Sequence, residues 1–455
     1  MLPNILTLLR TVTLEPSMML YYTACAMTFV NGQNLLLQKI CHPGDSHPST
    51  ATCQDEVHAQ QLSTQIQTWK QIIVVFGPVF FVLFAGPWSD NHGKRRKPLL
   101  YLPLCGQILS DLLCIVNVYF WSWSPVIAAL SDSILPSLTG GLACFLIGVN
   151  SYVSDITTDS SRTIRLGLCT AIYFLGTTLG AFIYGLVVHT IGFYGVFSVC
   201  VVLNLVALVY LYLFVSENKC DGEICELNTL EGLLDMRNIV QSFRTIIRPR
   251  KGWRRAVILI MIGVAPLTMA PLQGEYTVLY YFLRYNYQWD EADYGFYSAY
   301  KFIIIFFGTL VTLGVFSRLL SIPDAVIGVI SCVTLIIASL GYTFSTAAWE
   351  MFLYSVVDFT HGAGLAVVAS IVSKSVDHTE LGQVNGILGV ADALFPLINL
   401  PLYSQVYNHT FVNMPGAFFL LSAIYGAIAL VIFGVVYFIQ RMQHSQETFQ
   451  ESSKL

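Results

Sequence analysis

The chain has 455 residues, of which 55% are apolar and 11% charged, with a net charge of -4. A water-soluble protein of this length needs roughly 25% charged residues to cover its domain surfaces, so the composition excludes a soluble globular chain. No long basic face points to a nucleic-acid polymer as partner.

A bilayer core about 30 Å thick takes roughly 20 helical residues at 1.5 Å each. On that scale the apolar runs predict an all-α membrane protein of twelve transmembrane helices. The first six spans run 18–39, 68–87, 97–119, 127–152, 166–188 and 192–215, and the second six 255–284, 292–316, 323–343, 348–373, 383–406 and 416–440. The first span is too long and too polar-flanked for a cleaved signal peptide and reads as a retained anchor. The predicted domains are a cytoplasmic segment 1–17, a six-helix bundle 18–215, a polar linker 216–254, a second bundle 255–440 and a tail 441–455.

All but four of the 23 Lys and Arg fall in alternate gaps, beginning with the N-terminal segment; the exceptions are Lys39, Lys70, Arg284 and Lys301, at span edges or within a span. Both termini are therefore expected in the cytoplasm. The one glycosylation sequon found, at Asn408, falls in the loop between spans eleven and twelve, which is then external. Cys41 and Cys53, in the external loop after span one, can pair in an oxidising exterior. Cys220 and Cys225 share the linker without a second pair, so no metal site is expected there.

The halves look duplicated. GPWSD at 86–90, after span two, is echoed by GVFSR at 314–318, after span eight, and YVSDITTDSSRTIRLG, ending at Gly167, by IVSKSVDHTELG, ending at Gly382. Two six-helix repeats around a central linker is the arrangement of transporters whose substrate site lies near the membrane midplane.

Between spans two and three, Gly86, Asp90, Gly93, Lys94 and Arg95 resemble the G-x-x-x-D-x-x-G-R/K-R/K signature of the major facilitator superfamily. The glycines permit a tight turn and the cations anchor at the inner leaflet. The resemblance implies a conformational gate in which Asp90 accepts hydrogen bonds from the N-terminus of span eleven, near Gly382, while the inner side is shut. A merely basic inner loop is the plainer reading. LEPSMMLYYT, GPWSDNHGKRRKPLL, SDITTDSSRTIRLG, the pair Trp289 and Asp290 with GFYSA at 295–299, and SKSVDHTELGQVNG are similar to solute carrier family 46, the family of the proton-coupled folate transporter, over essentially the whole chain.

A charge at the bilayer centre costs roughly 2.5 to 3.5 kcal/mol and needs a partner, water or a role. Asp358 and His361, three apart in span ten, share a helix face and can exchange a proton; with Asp392 in span eleven they are the proposed proton-coupling residues, against a plain packing hydrogen bond. Glu275 and Gln273 lie in span seven where Pro266, Pro271 and Gly274 are expected to loosen the helix. Lys301 either pairs with Glu275 or Asp293 or receives an anionic substrate. Tyr276, Tyr280 and Tyr300 are candidates for an aromatic substrate pocket, whereas Tyr294, Tyr297 and His189 read as membrane-interface residues. Asp111 and Asp132 read as packing or hydrated groups.

The chain departs from the folate-transporting pattern: the span-five carboxylate of those transporters falls at Thr170, their span-ten arginine near Ala369, and span seven holds no histidine. The resemblance therefore implies a secondary active transporter of an organic anion, of the folate-like, cyclic dinucleotide or muropeptide class, by alternating access with proton symport. Alternatives are a drug/proton antiporter and, in another class, a non-transporting membrane receptor or scaffold. No metal-ligand cluster, nucleophile elbow or phosphate loop is evident, so an enzyme is not expected. No cofactor is expected beyond the proton as coupling ion; the expected partners are the organic anion and membrane lipids, around a monomer. With no acidic dileucine signal found, the plasma membrane is expected over the lysosome.

Overall fold

The computed structural model describes residues 13–43, 53, 55–91, 96–156, 159–215, 253–375 and 381–452, and the elements among them are helical. In the first half, span one is α1 (Glu15–Cys41), span two α2 (Glu56–Asn91) and span three α3 (Lys97–Tyr119). Span four is split into α4 (Pro125–Leu138) and α5 (Gly141–Ile156), and spans five and six run through α6 (Asp159–Phe214) with a kink at Gly192. In the second half, α7 (Arg254–Tyr287) is span seven, and α8 (Glu291–Val311) continues into a π-helical segment, Thr312–Leu319, as span eight. Span nine is α9 (Asp324–Phe344). Span ten is split into α10 (Ala348–Val357) and α11 (Ala363–Ser375), span eleven into α12 (Leu381–Leu394) and α13 (Pro396–Thr410), and span twelve is α14 (Phe418–Ser452) after a single 3-10 turn.

The local chemistry explains most boundaries. Proline stands in the first turn of α1, α3, α4 and α13, where its missing N–H is an orphan donor in any case. Ser124 caps α4 by accepting from the Val126 N–H at 3.3 Å. Gly140 and Gly141 end α4 and start α5 with φ of 82° and 47°, and Gly192 turns span five into span six with φ of 61°, a region open chiefly to glycine.

Among the described residues, seven helical segments are long and apolar enough to cross a membrane. Spans one, two, ten and eleven are not among them. α1 buries Thr28, Asn31, Gln33, Asn34 and Gln38, and spans ten and eleven are interrupted. Polar or broken spans are tolerated in a bilayer where they face protein or a water-filled cavity.

Two compact units form, Met1–Asp235 with Leu283–Ile303, and Met236–Phe282 with Ile304–Leu455. The first is built on Met18, Tyr21, Tyr22, Leu100, Leu104, Phe145 and Leu211, and the second on Ile258, Met261, Ile327, Val368, Ile371 and Phe433. Lipid is as apolar as these side chains, so close packing rather than expulsion from water holds them together. The segment 283–303 belongs with the first unit because α8 lies backbone to backbone on span five. A Cβ at Gly295 would stand 2.5 Å from the Ala181 carbonyl oxygen, and one at Gly185 3.1 Å from Ala292. Arg284 and Glu291 pair at 3.3 Å, and His189 lies 3.5 Å from Asp290 at the same end.

Several expectations are corrected. α2 begins at Glu56, not 68, so Lys70 lies well inside a helix rather than at its edge; the polar run before 68 hid the helix from a count of apolar residues. Gly86 and Asp90 continue α2 as helix rather than opening a turn. Span seven is one continuous helix despite Pro266 and Pro271, and Asn399 Nδ2 on span eleven donates to the Ala270 carbonyl at 3.0 Å, one residue before the second proline. Tyr294 and Tyr297 are buried rather than at an interface, with Tyr297 edge-on to Trp289 at 5.4 Å between centroids. The Asn408 sequon occupies the last turn of α13 instead of a loop, because that helix runs on to Thr410. Gly93, Lys94, Arg95, Cys220 and Cys225 lie outside the described residues. Cys41 and Cys53 are joined in a disulfide.

Candidate functional site

Besides span eleven, the fourth span of each half is broken, and the same device holds both of these breaks open. In the first half, the break at Thr139 and Gly140 is seated against α2, where a Cβ at Gly77 would meet the Ser137 Oγ at 2.0 Å and its carbonyl oxygen at 2.7 Å. Ser137 Oγ donates to the Ile73 carbonyl at 2.6 Å. In the second half, the break over 358–362 is seated against α8, where a Cβ at Gly308 would meet the Phe359 carbonyl oxygen at 1.9 Å. Thr139 packs on Gly106 of span three; in the same repeat position Thr360 accepts from Ser331 of span nine through its carbonyl, at 3.2 Å, and bonds Thr334 through its hydroxyl. Interrupted helices at corresponding places in two repeats, with freed backbone groups, are where transporters of this build place their sites.

At the second break, His361 Nδ1 lies 2.9 Å from Asp358 Oδ2, with both side chains 2% exposed. The pair stands on the non-helical turn itself, where the His361 N–H donates to the Asp358 carbonyl at 3.0 Å, and not on a helix face as the spacing implied. Asp358 Oδ1 is buried without a hydrogen-bond partner among the described residues. With one proton the imidazole is neutral and the pair carries one negative charge; a second proton makes it neutral. In a bilayer interior such a change alters the cost of carrying the site through an apolar barrier.

A second polar chain crosses three helices of the same unit. Ser422 Oγ on α14 donates to Glu275 Oε1 at 2.6 Å, and Tyr403 OH on α13 lies 2.7 Å from Ser422 Oγ. Because the serine hydrogen is engaged by the carboxylate, the tyrosine is the donor of the second bond. Gly274 admits the Tyr403 ring, whose nearest carbon would be 2.4 Å from a Cβ there. Ser422→Ala is expected to lower the unfolding free energy by about 1–3 kcal/mol, since it removes a bond to a buried carboxylate. Tyr403→Phe is expected to cost less, and in the double variant the two effects should be less than additive. Melting curves of the detergent-purified variants measure all three.

In the first unit, Asp111 accepts from Thr28 Oγ1 at 2.8 Å, Gln107 Nε2 at 3.1 Å and Asn204 Nδ2 at 3.2 Å, which binds three spans together. Asp132, on α4, forms a buried ion pair with Lys70 on α2. The ends of spans three and four are tied by Arg96 and Asp155 at 2.8 Å, and Arg165 pairs with Glu15 at 3.0 Å. Spans nine and ten repeat the first of these ties with the signs exchanged, as Asp324 and Lys374 at 2.6 Å. Sequence reading missed these pairs. The echo of SDITTDSSRTIRLG in SKSVDHTELG carried the signal, since both stretches end a fourth span.

The predicted substrate residues divide between the units. Glu275, Tyr276 and Tyr280 belong to the second; Tyr300 and Lys301 belong to the first, with Lys301 buried. Tyr280 is buried and packs edge-on to Tyr281 at 5.7 Å between centroids. Gln273 is exposed, two residues from the buried Glu275 and hence on another side of α7. Asp392 lies on α12 with Oδ1 buried and without a hydrogen-bond partner among the described residues.

Twelve helices in two repeats, each with its fourth helix broken about buried polar groups, define a multi-pass membrane transporter. Residues 19–398 match the family model of the Major Facilitator Superfamily, and the chain belongs to that family. Several of its curated relatives are members of solute carrier family 46. It is 22% identical to the probable peptidoglycan muropeptide transporter SLC46 of Drosophila melanogaster, over 93% of this chain and 85% of that one. It is 24% identical to the lysosomal proton-coupled steroid conjugate and bile acid symporter SLC46A3 of Gallus gallus, over 79% and 76%. Among solved structures, the human organic anion transporter MFSD10 (TETRAN) shares the fold with a TM-score of 0.61 at 14% identity, covering 92% of this chain and 97% of that one.

Proposed function

We propose that the protein is a secondary active transporter that moves an organic anion by alternating access together with protons. The observation that carries this reading is the duplicated break: each half holds a titratable pair, Asp358 with His361 or Lys70 with Asp132, at or within two turns of the interruption of its fourth span. A buried group able to gain and lose one proton is what coupling requires, and a bilayer interior otherwise disfavours it. Asp358, His361 and Asp392 take the protons in this reading, and Glu275, Tyr276 and Tyr280 of the second unit and Tyr300 and Lys301 of the first are its candidate substrate-binding residues. Gly86, Asp90, Gly93, Lys94 and Arg95 close the inner gate.

Uptake of labelled folate, a cyclic dinucleotide, muramyl dipeptide and taurocholate into proteoliposomes tests the reading. At least one probe is expected to accumulate severalfold faster from an external medium of about pH 5.5 than of about pH 7.4, with the stimulation abolished by a protonophore. Uptake driven instead by an acidic lumen would establish antiport. Correctly folded protein that moves none of these anions would remove the substrate assignment.

A further inference from the structure

The buried pair of Lys70 and Asp132 does more than join two helices. Removing both charges from water costs several kcal/mol per ion, and a well-packed apolar pair often does as well or better, so such a bridge is weak as a stability device. Its surroundings are also under-used. Among the described residues the Lys70 ammonium bonds Asp132 alone, although it carries three donors. Gln67 and Ser63 lie three and seven positions before it, one and two helical turns back, so the three share a face of α2. Ser63, Gln67 and Asn31 are each 99% or more buried, and Ser63 Oγ and both amide ends of Gln67 and Asn31 have no hydrogen-bond partner among the described residues. Beside Asn31, Gly32 brings α1 onto the pair: a Cβ there would stand 2.7 Å from Asp132 Oδ2 and 3.5 Å from Lys70 Nζ. Buried donors and acceptors left idle around a cation mark a place that water or a ligand fills.

We propose that Lys70 and Asp132 form a proton-for-anion exchange site, in which protonation of the Asp132 carboxylate releases Lys70 to receive the anionic group of the substrate. This rests on the anion-symport reading and names the binding group within it. The charge balances at every stage. Before exchange the ammonium and carboxylate sum to zero; afterwards the ammonium, the neutral carboxylic acid and a singly charged anion again sum to zero. The proton comes from the medium that supplies the anion and leaves with it, while Lys70 keeps its own. No uncompensated charge stands in the apolar interior in either state, which is the condition for moving the loaded and the empty site through the same barrier. The other titratable groups that act electrostatically on Asp132 are Asp111 and Cys114 on α3, Cys25 on α1 and Cys200 on α6. Asp111 is committed to its three donors.

The test uses full-length protein in nanodiscs with labelled taurocholate, muramyl dipeptide, folate and a cyclic dinucleotide as binding probes, alongside pH-difference infrared spectra taken without any probe. In the parent, the dissociation constant of a bound probe should rise by roughly tenfold per pH unit above the point where Asp132 deprotonates. Asp132→Asn should hold a low, pH-independent constant, and Lys70→Gln should weaken binding at least tenfold at every pH. The neutral double variant Lys70→Gln/Asp132→Asn, which leaves no lone buried charge, should fold and still fail to bind. In the spectra a carboxylic-acid band should grow on acidification and vanish in Asp132→Asn. Asp132→Asn that keeps the parent's pH dependence, or the absence of an Asp132 band across the titration, overturns the proposal even if transport is proton-driven. Failure of every probe to bind, with the Asp132 band present, overturns the choice of anions and leaves the titrating pair supported.

Discussion

Gly308→Ala is expected to leave almost no folded protein. The added methyl would sit 1.9 Å from the Phe359 carbonyl oxygen and 2.6 Å from its carbon, both backbone atoms of the break in span ten, so no side-chain rotation relieves the clash. Overpacking that side chains can absorb costs about 1–3 kcal/mol. Here the backbone must yield by about an ångström, which places the penalty at or above the top of that range, against a total stability of about 5–15 kcal/mol. The displaced turn also carries Asp358 and His361, so any surviving protein should have lost their contact. Gly77→Ala is expected to be milder, because its nearest obstruction is the Ser137 hydroxyl, which can rotate, before the carbonyl oxygen at 2.7 Å. Gly263→Ala has nothing within 4 Å and sits inside α7; it should be neutral or gain up to about 1 kcal/mol from helix propensity. Melting temperature and the monodisperse fraction of each purified variant give the order directly. A Gly308 variant as stable as the Gly263 variant would mean that span ten is not seated on α8 in this way.

The contrast between these glycines shows what a single sequence can reveal. Spans were legible where apolar runs had sharp polar ends: span three was expected at 97–119, and α3 runs Lys97–Tyr119. The duplication was legible too, because GPWSD and GVFSR keep their place after equivalent spans. The break in span four had a local cue in Thr139-Gly140-Gly141. The break in span ten lacked one of comparable strength, for it is imposed by Gly308, some fifty positions away, and by Ser331 and Thr334. The reverse error is a loosened span seven: Pro266 and Pro271 are visible locally, while the amide that bonds the Ala270 carbonyl beside them comes from Asn399, 129 positions on. Lys70 was misplaced for a different reason: EVHAQQLSTQIQ has no apolar run, yet its glutamines favour helix, and Gln60 and Gln67 are buried within the bundle. Asp358 and His361 were expected to meet and do, at 2.9 Å, but across a tight turn rather than on a helix face, since i,i+3 spacing brings side chains together in both.

Asp358→Asn is expected to remove one proton from the coupling of substrate movement to the gradient. A gradient of two pH units holds about 2.7 kcal/mol per proton, enough for a roughly 100-fold accumulation of a co-transported anion at one proton each. That work is available only if substrate movement is tied to a group that is protonated on one side and deprotonated on the other. Asparagine keeps the volume and can still bond the imbalanced ring nitrogen of His361, through its amide donor, so the turn over 358–362 is preserved; it cannot carry the proton. Gradient-driven accumulation of whichever probe the parent concentrates should then fall by up to about 100-fold at two pH units, toward the level the proton on Asp132 sustains, while exchange of labelled for unlabelled probe at equal pH on both sides continues at a rate within a fewfold of the parent's. His361→Gln should give the same pattern if the proton is shared across the 2.9 Å contact. A purely packing role predicts something different: accumulation and exchange would decline together, in step with the loss of folded protein. Measuring both modes on the same vesicles, normalised to folded transporter, separates the two roles, and undiminished accumulation by Asp358→Asn would place the coupling proton elsewhere in the bundle.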